Sequence, residues 1–357
     1  MAEIKEKVRV GMIGCGGISG AHLPHLTQSD DVEVVGFCDI VVERAEKRAR
    51  EYCEKKGLTY DAAITFDAAE KMLDAVKPDA AYILIPTYAH GAPERACIQR
   101  GVHFLVEKPL GLYPDDLRKL AQEVADSGVI AVAGFMNRYR RSINKVREML
   151  QDDPPILLDG AWIGGAPIKR PGDYFANNPI GLWWPLKDKS GGQFVEQVIH
   201  TVDLARYLCG EVVEVFAYGT KGFNAKRENL IDNYSLDDAM VVSMKFAGGT
   251  VGNIMSCCAA DNGGGVFLNV WAARHAFKFT DWAHHVQIHY NGDKWTESIQ
   301  GDIDDIFPTE DRVFIDAVKT GDRSKIKSTH ADGVRTTLVT LAANESLETG
   351  KPVTVQY

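Results

Sequence analysis

The stretch VRVGMIGCGGISGAH, residues 8–22, constrains this chain more than any other. An apolar run ends on Gly14, Gly16 and Gly17, and a helical pattern begins near Ile18. Without Cβ atoms the backbone turns tightly there, and the unpaired N–H groups of the helix start point into the space the turn leaves open. Strand, glycine turn and helix in that order predict the first unit of a parallel α/β sheet with room for a pyrophosphate. Ser19 takes the third glycine position of that pattern and is small enough for close helix packing.

Asp39 ends the next apolar run, 23 residues after Gly16. A carboxylate there would accept hydrogen bonds from the adenosine ribose of a dinucleotide, with Ile40 beside it. No Arg or Lys follows Asp39 until Arg44. A 2′-phosphate would meet that negative charge uncompensated, so NAD is expected over NADP. The alternative is a plain tight turn, with Asp39 capping the next helix.

The alternation continues through the first third of the chain. Asp79 to Ile85, His103 to Val106 and Ile130 to Phe135 read as buried strands; Ala92 to Arg100 and Asp115 to Asp126 read as helices. Near-continuous apolar strands separated by helices predict a doubly wound parallel sheet covered on both faces. After Asn137 the pattern changes. One helix, RYRRSINKVREML, stops at Pro154-Pro155, and then strand-like runs joined by short Gly and Asn/Asp turns dominate. Two helices, about 310–319 and 331–347, close the chain. The expected fold class is α/β: an N-terminal Rossmann domain over 1–135, then an α+β domain with a largely antiparallel open sheet over 136–357. A chain of 357 residues suits two cores better than one.

Composition excludes other classes. Hydrophobic residues make up 45% and charged residues 25%, which is ordinary for a globular protein. The net charge of −9 comes from 49 acidic and 40 basic residues without a basic block, so nucleic acid is not an expected partner. No apolar run reaches the roughly 18 residues of a membrane span. The start, MAEIKEKVRV, is charged and runs straight into a strand; the expected location is the cytoplasm. Seven cysteines contain no CxxC pair and lie mostly in apolar runs, as reduced core thiols do. His284, His285 and His289 tempt a metal reading, but the alternation of WAHHVQIHY makes them exposed strand residues, with His285 and His289 about 13 Å apart. No metal is expected.

ILIPTYAH (83–90), VEKPLG (106–111), GFMNRY (134–139) and SGGQFVEQVIHTVDLARYL (190–208) follow the glycine loop in this order. The series resembles the glucose-fructose oxidoreductase and inositol dehydrogenase family, often abbreviated Gfo/Idh/MocA. The resemblance spans nearly the whole chain, with its specific motifs between residues 8 and 208. It implies a Rossmann domain followed by an α+β domain whose open sheet serves oligomerisation, as a homodimer or homotetramer.

Lys108 follows a strand of the parallel sheet, at the edge where doubly wound folds bind ligands. Its ammonium can hydrogen-bond a substrate oxygen and stabilise alkoxide character as a hydride leaves the adjacent carbon. Glu107 would orient the lysine or hold a ribose hydroxyl. The resemblance implies a catalytic lysine and a glutamate touching the cofactor.

Glu196 and His200 are four apart in a segment of helical apolar pattern, which predicts one shared face. The family pattern GGxxxDxxxH aligns on Gly191-Gly192 and His200, with Glu196 in place of the commoner aspartate. A histidine titrating near neutrality suits proton exchange with a hydroxyl, and Glu196 would be its orienter or an auxiliary base.

Pro86, Thr87 and His90 follow the fourth strand, near the ribose or nicotinamide; His90 has the alternative of capping the next helix. Asn137 and Arg138 end the sixth strand, where they reach a substrate oxygen or the cofactor, or form a packing salt bridge. Trp162 either covers the nicotinamide or belongs to the core. Tyr174, Trp183 and Trp184 lie in the turn-rich loop 170–192, which offers aromatic faces to a carbohydrate or packs on a neighbouring subunit.

The expected activity is hydride transfer between NAD and a secondary alcohol or ketone of a sugar, cyclitol or related polyol, with Lys108 and His200 carrying the proton. Two alternatives stand beside it: glycoside cleavage by oxidation, elimination and re-reduction on retained NAD, and a non-catalytic sensor of cofactor or sugar.

Overall fold

The computed structural model describes residues 6–165, 183–261, 263–290, 296–301 and 306–357. The chain divides into two compact units, Met1–Met136 with Asp305–Val334, and Asn137–Asp304 with Arg335–Tyr357.

The first unit alternates strand and helix: β1 (Val8–Ile13), α1 (Ser19–Gln28), β2 (Val32–Cys38), α2 (Val42–Lys56), β3 (Thr65–Phe66), α3 (Ala69–Val76), β4 (Ala80–Ile83), α4 (Ala92–Gln99), β5 (His103–Glu107), α5 (Pro114–Ser127) and β6 (Ala131–Gly134). Its six strands run parallel in the order β3-β2-β1-β4-β5-β6. Order reverses between β1 and β4, the place where such sheets open a crevice at their carboxyl ends. Every residue of β4 and β6 is buried, which is why these strands read as unbroken apolar runs rather than alternating ones.

The second unit carries α6 (Arg141–Asp152), β7 (Pro155–Ile163), α7 (Lys187–Ser190), α8 (Gln193–Glu196), α9 (Ile199–Cys209), β8 (Val212–Thr220), β9 (Ala239–Phe246), β10 (Val251–Cys257), β11 (Gly265–Ala272), β12 (His275–Thr280), β13 (His285–Tyr290) and β14 (Thr296–Ile299). With β15 (Val353–Thr354) these strands form a nine-stranded sheet, β14-β13-β12-β11-β7-β10-β9-β8-β15, antiparallel except where β7 meets β10. One face packs Leu158, Val242, Ile254, Leu268 and Phe277 against Val198, Val202 and Ala205, with Ile143 and Val146 of α6 in the same core. Each such side chain contributes about 1.5–3 kcal/mol when fully buried. On the other face Leu157 pairs with Val251, and Val241 with Tyr218, all exposed.

The C-terminal part departs from the expected division at 135/136. The helix α10 (Phe307–Thr320) belongs to the first unit, where Phe314, Ile315, Ala317 and Val318 share a core with Val8, Val10 and Met12. The apolar stripe of α10 is legible in sequence, but nothing local says which sheet it covers. The last helix, α11 (His330–Thr349), begins in the first unit and continues in the second. No helix among the described residues is long and apolar enough to cross a membrane.

Candidate active site

The candidate residues are carried by both units. In the first, Gly14 has φ +95°, and a Cβ on it would lie 2.2 Å from the carbonyl oxygen of Leu84. Only glycine fits this close approach of the β1 turn to the end of β4. Cβ atoms on Gly16 or Gly17 would meet nothing within 4 Å, so the loop opens outward beneath the start of α1. Ile18 is part-exposed there, while Ser19 is buried and donates its hydroxyl to the carbonyl of Gly16 at 2.6 Å. Arg48 of α2, which sequence reading passed over, donates to Ser19 Oγ at 2.9 Å and to the Gly16 carbonyl at 3.2 Å.

Asp39 is buried at the end of β2. Its carboxylate accepts the backbone N–H of Cys15 at 2.8 Å and that of Val41 at 2.9 Å. Ile40, next in sequence, is 78% exposed and offers an apolar surface beside the carboxylate. Burial and the charge of Asp39 push the Cys38 thiol up to about 12, and all seven cysteines are free.

Pro86 leads into a 3-10 turn, Thr87–Ala89, after β4. Thr87 is buried, and its hydroxyl has no partner among the described residues. The His90 ring meets Glu94 Oε1 through Nδ1 at 2.6 Å, both side chains are 1% exposed, and Nε2 has no partner among the described residues. Gly91, not His90, is the N-cap of α4; its N–H bonds to Glu94 Oε2 at 2.7 Å. Burial would raise the Glu94 carboxyl, but His90 beside it holds it below the usual carboxylate range.

Glu107 and Lys108 close β5. The Lys108-Pro109 peptide bond is cis, and Lys108 is half-buried. Glu107 turns inward, accepting the N–H of Lys108 on Oε2 at 3.2 Å and facing His22 Nε2 from Oε1 at 3.3 Å. Gly134 makes room for it, since a Cβ there would lie 2.8 Å from Glu107 Oε1.

In the second unit the helical pattern expected over 194–208 is broken. Val198 N–H bonds back to the Gln193 carbonyl and His200 N–H to that of Gln197, so α8 ends at Glu196 and α9 begins at Ile199. Glu196 and His200 therefore do not share one regular helical face. The Glu196 carboxylate accepts the indole N–H of Trp184 at 2.7 Å. His200 is buried between two indoles: Trp162 of β7 stacks at 6.2 Å and Trp282 meets it edge-on at 5.2 Å. Trp282 sits in the turn between β12 and β13, where the alternation of WAHHVQIHY had suggested strand.

Arg138 forms a buried two-point pair with Asp203, Nε to Oδ2 at 2.8 Å and Nη2 to Oδ1 at 2.6 Å. Thr336 donates to the same Oδ1 at 2.9 Å. Of the two expectations for Arg138, the packing salt bridge is the one its geometry matches. Asn137 accepts from Arg140 Nε at 2.8 Å and keeps a buried amide nitrogen without a partner among the described residues. Trp183 is half-buried at the start of the described part of its loop; Tyr174 lies outside the described residues. The histidine trio also differs from expectation. His284 is buried in the turn, with Nδ1 2.9 Å from the Trp282 carbonyl oxygen, and burial pulls its pKa down to about 3. His285 and His289 are half-buried.

The donor set of the first unit fits a dinucleotide. An outward-facing glycine cradle, a locked carboxylate after β2 and an unsatisfied hydroxyl on Thr87 lie at the carboxyl ends of β1, β2 and β4, as pyrophosphate and ribose require.

Comparison with known proteins agrees. Residues 8–135 match the model of the oxidoreductase family with NAD-binding Rossmann fold, and residues 170–277 that of the GFO/IDH/MocA C-terminal domain, together well over half the chain. Myo-inositol 2-dehydrogenase of Thermotoga maritima is 27% identical over 98% of this chain and 99% of its own length. The scyllo-inositol 2-dehydrogenase (NAD(+)) of Bacillus subtilis is 26% identical over 70% and 67%. Among solved structures, myo-inositol 2-dehydrogenase from Lactobacillus plantarum superposes with TM-score 0.77 at 21% identity over 98% of this chain and all of that one. A levoglucosan dehydrogenase in complex with NADH gives TM-score 0.80 at 17% identity, covering 98% and 99%. With both halves matched by models of one family, and the strand, glycine loop and helix of a Rossmann unit in place, the chain is a member of the GFO/IDH/MocA oxidoreductase family.

Proposed function

We propose that the chain is an NAD-dependent dehydrogenase or reductase for a secondary alcohol or ketone of a sugar, cyclitol or related polyol. The observation that carries this reading is the Glu107-Lys108 corner, set at the carboxyl end of the same parallel sheet as the Asp39-tied glycine loop. Relatives named as inositol dehydrogenases, and the D-glucoside 3-dehydrogenase of Escherichia coli, 24% identical over 68% of each chain, support the substrate class.

Nicotinamide, when bound, supplies the hydride acceptor or donor. Gly14, Gly16, Gly17 and Ile18 would receive the pyrophosphate, Asp39 and Ile40 the adenosine, and Pro86, Thr87, His90 and Glu107 the nicotinamide half. Asp39 favours NAD, because an adenosine 2′-phosphate would meet its carboxylate. Lys108 would hold the substrate oxygen and accept or return its proton. His200 is the second member of the relay, and Glu196, oriented by Trp184, its auxiliary. Trp162 and Trp282 beside His200 offer indole faces to the C–H surface of a ring polyol, with Asn137, Trp183 and Trp184 as further contacts.

A screen of cyclitols, aldoses and keto-sugars for NADH formation or consumption tests this reading. Turnover of at least one such substrate with NAD supports it; release of chromophore from a nitrophenyl glycoside without net NADH would replace it with oxidation-elimination chemistry. The apolar outer sheet face, with Leu157 beside Val251 and Val241 beside Tyr218, further supports assembly as a homodimer or homotetramer through this sheet. Light scattering of the wild type and of Val241→Lys distinguishes that assembly from a monomer.

A further inference from the structure

The mechanism above leaves His22 unused. It sits on the first turn of α1, directly behind the glycine loop, and its side chain is wholly buried. Tyr82 lies against its ring at 5.3 Å and Phe307 at 5.0 Å. Both ring nitrogens face carboxylates, Nδ1 at 2.7 Å from Asp311 Oδ1 and Nε2 at 3.3 Å from Glu107 Oε1. A ring that donates to both carboxylates carries two protons and a positive charge; burial raises the Asp311 carboxyl, and the ring beside it works against that rise. Burial opposes that charge, and the Asp311 carboxylate beside the ring more than offsets it.

The three residues come from distant parts of the chain. His22 follows β1, Glu107 ends β5, and Asp311 lies on α10, after the 137–304 part of the second unit. The other Glu107 oxygen accepts the N–H of Lys108. Charged or titratable groups facing this cluster are His25 on α1, Tyr82 on β4, Lys108 beside Glu107, and Glu310 and Arg312 flanking Asp311 on α10.

We propose that His22, bridging Asp311 and Glu107, is the positioning residue that holds the Glu107 carboxylate aimed, and through it sets the place of Lys108. The proposal rests on the reading of Glu107 and Lys108 as cofactor and substrate groups. It makes the returning α10 part of the active machinery rather than a cover on the sheet.

The test is Asp311→Asn in the full-length protein, with Asp311→Glu as the conservative partner. NADH affinity is measured by fluorescence from pH 6 to 9, polyol turnover over the same range, and the His22 ring by nitrogen NMR without ligand. Removing the anion lowers the pKa of His22, so the ring loses its charge at a lower pH than in wild type. Asp311→Asn is expected to bring the alkaline limb of both profiles down by at least about one pH unit, with NADH affinity about tenfold weaker at pH 8.5. The NMR spectrum should show a neutral ring at pH 8.5 in that variant alone, and Asp311→Glu should restore the wild-type limb. A folded Asp311→Asn protein with unshifted limbs, or with a His22 ring still cationic at pH 8.5, overturns the proposal, since a purely structural aspartate would leave both in place.

Should Asp311→Asn fail to fold, Gly134→Ala displaces Glu107 from the opposite side. It is expected to weaken NADH at least about fivefold across the range; wild-type affinity there also overturns the proposal. If the wild type transfers hydride with none of the polyols, the functional reading fails, while the NADH titration and ring spectrum still decide this one.

Discussion

Asp39 accepts the backbone N–H of Cys15 at 2.8 Å, tying the end of β2 to the turn that follows β1. The carboxylate proposed to hold the adenosine ribose thus also shapes the loop proposed to hold the pyrophosphate. Asp39→Ala is expected to cost two interactions together, weakening NAD by about 10- to 100-fold, as for loss of charged hydrogen bonds. Because the loop loosens as well, NADP affinity should not rise in compensation. Calorimetric titration of both cofactors checks this.

Lys108→Ala is expected to lower kcat by about 10²–10⁴-fold, the range for loss of a general acid or base. NAD affinity should stay within about threefold, because the ammonium is assigned to the substrate oxygen rather than to the cofactor. Steady-state kinetics with a competent polyol, beside a cofactor titration, separates the two effects. Unchanged turnover would remove Lys108 from the mechanism.

Trp282 is 38% exposed and meets the His200 ring at 5.2 Å. Trp282→Ala should raise KM for a ring polyol by about tenfold while melting within a few degrees of wild type, since an aromatic contact is worth about 0.5–1.5 kcal/mol beyond its area. An acyclic polyol of the same hydroxyl count should be less affected. Equal losses for both would count against the indole as a ring platform.

Arg138 and Asp203 form a buried pair whose side chains are 4% and 1% exposed. Asp203→Asn leaves a buried guanidinium without its anion and is expected to destabilise the protein by about 3–5 kcal/mol. Urea unfolding measures it. Arg138→Met with Asp203→Leu should recover part of that loss, because no uncompensated charge remains.

His330 is buried with neither ring nitrogen hydrogen-bonded among the described residues, and burial draws its pKa down to about 4. An unfolded chain protonates histidine near pH 6.5. Between those values the unfolded state binds more protons, so stability falls as pH drops through the window and levels off below it. The contribution approaches about 3 kcal/mol. In His330→Leu the loss of stability between pH 7 and 4.5 should be smaller by nearly that amount, as measured by urea unfolding at both values.

The difference between what was legible and what was not follows the range of each interaction. The glycine turn, Asp39 and Glu107-Lys108 are read correctly in position because each lies next to the strand that carries it. Glu196 and His200 illustrate the failure of a regular period: a bond from Val198 to the Gln193 carbonyl shifts the helical register between them, and apolar spacing alone does not reveal such a break. Arg138 had two readings that only its partner could separate, and Asp203 lies 65 residues away.

By itself the sequence determined the parallel sheet, its crevice-lining edge and the family, since apolar periodicity, Cβ-free turns and short motifs are local properties of a chain. Tertiary structure alone decided that α10 returns to the first unit, that Trp282 flanks His200, and that His22 lies between Glu107 and Asp311. Those relations depend on packing between residues as many as 289 positions apart, and a buried charge finds its partner only after the elements that bear both have been brought together.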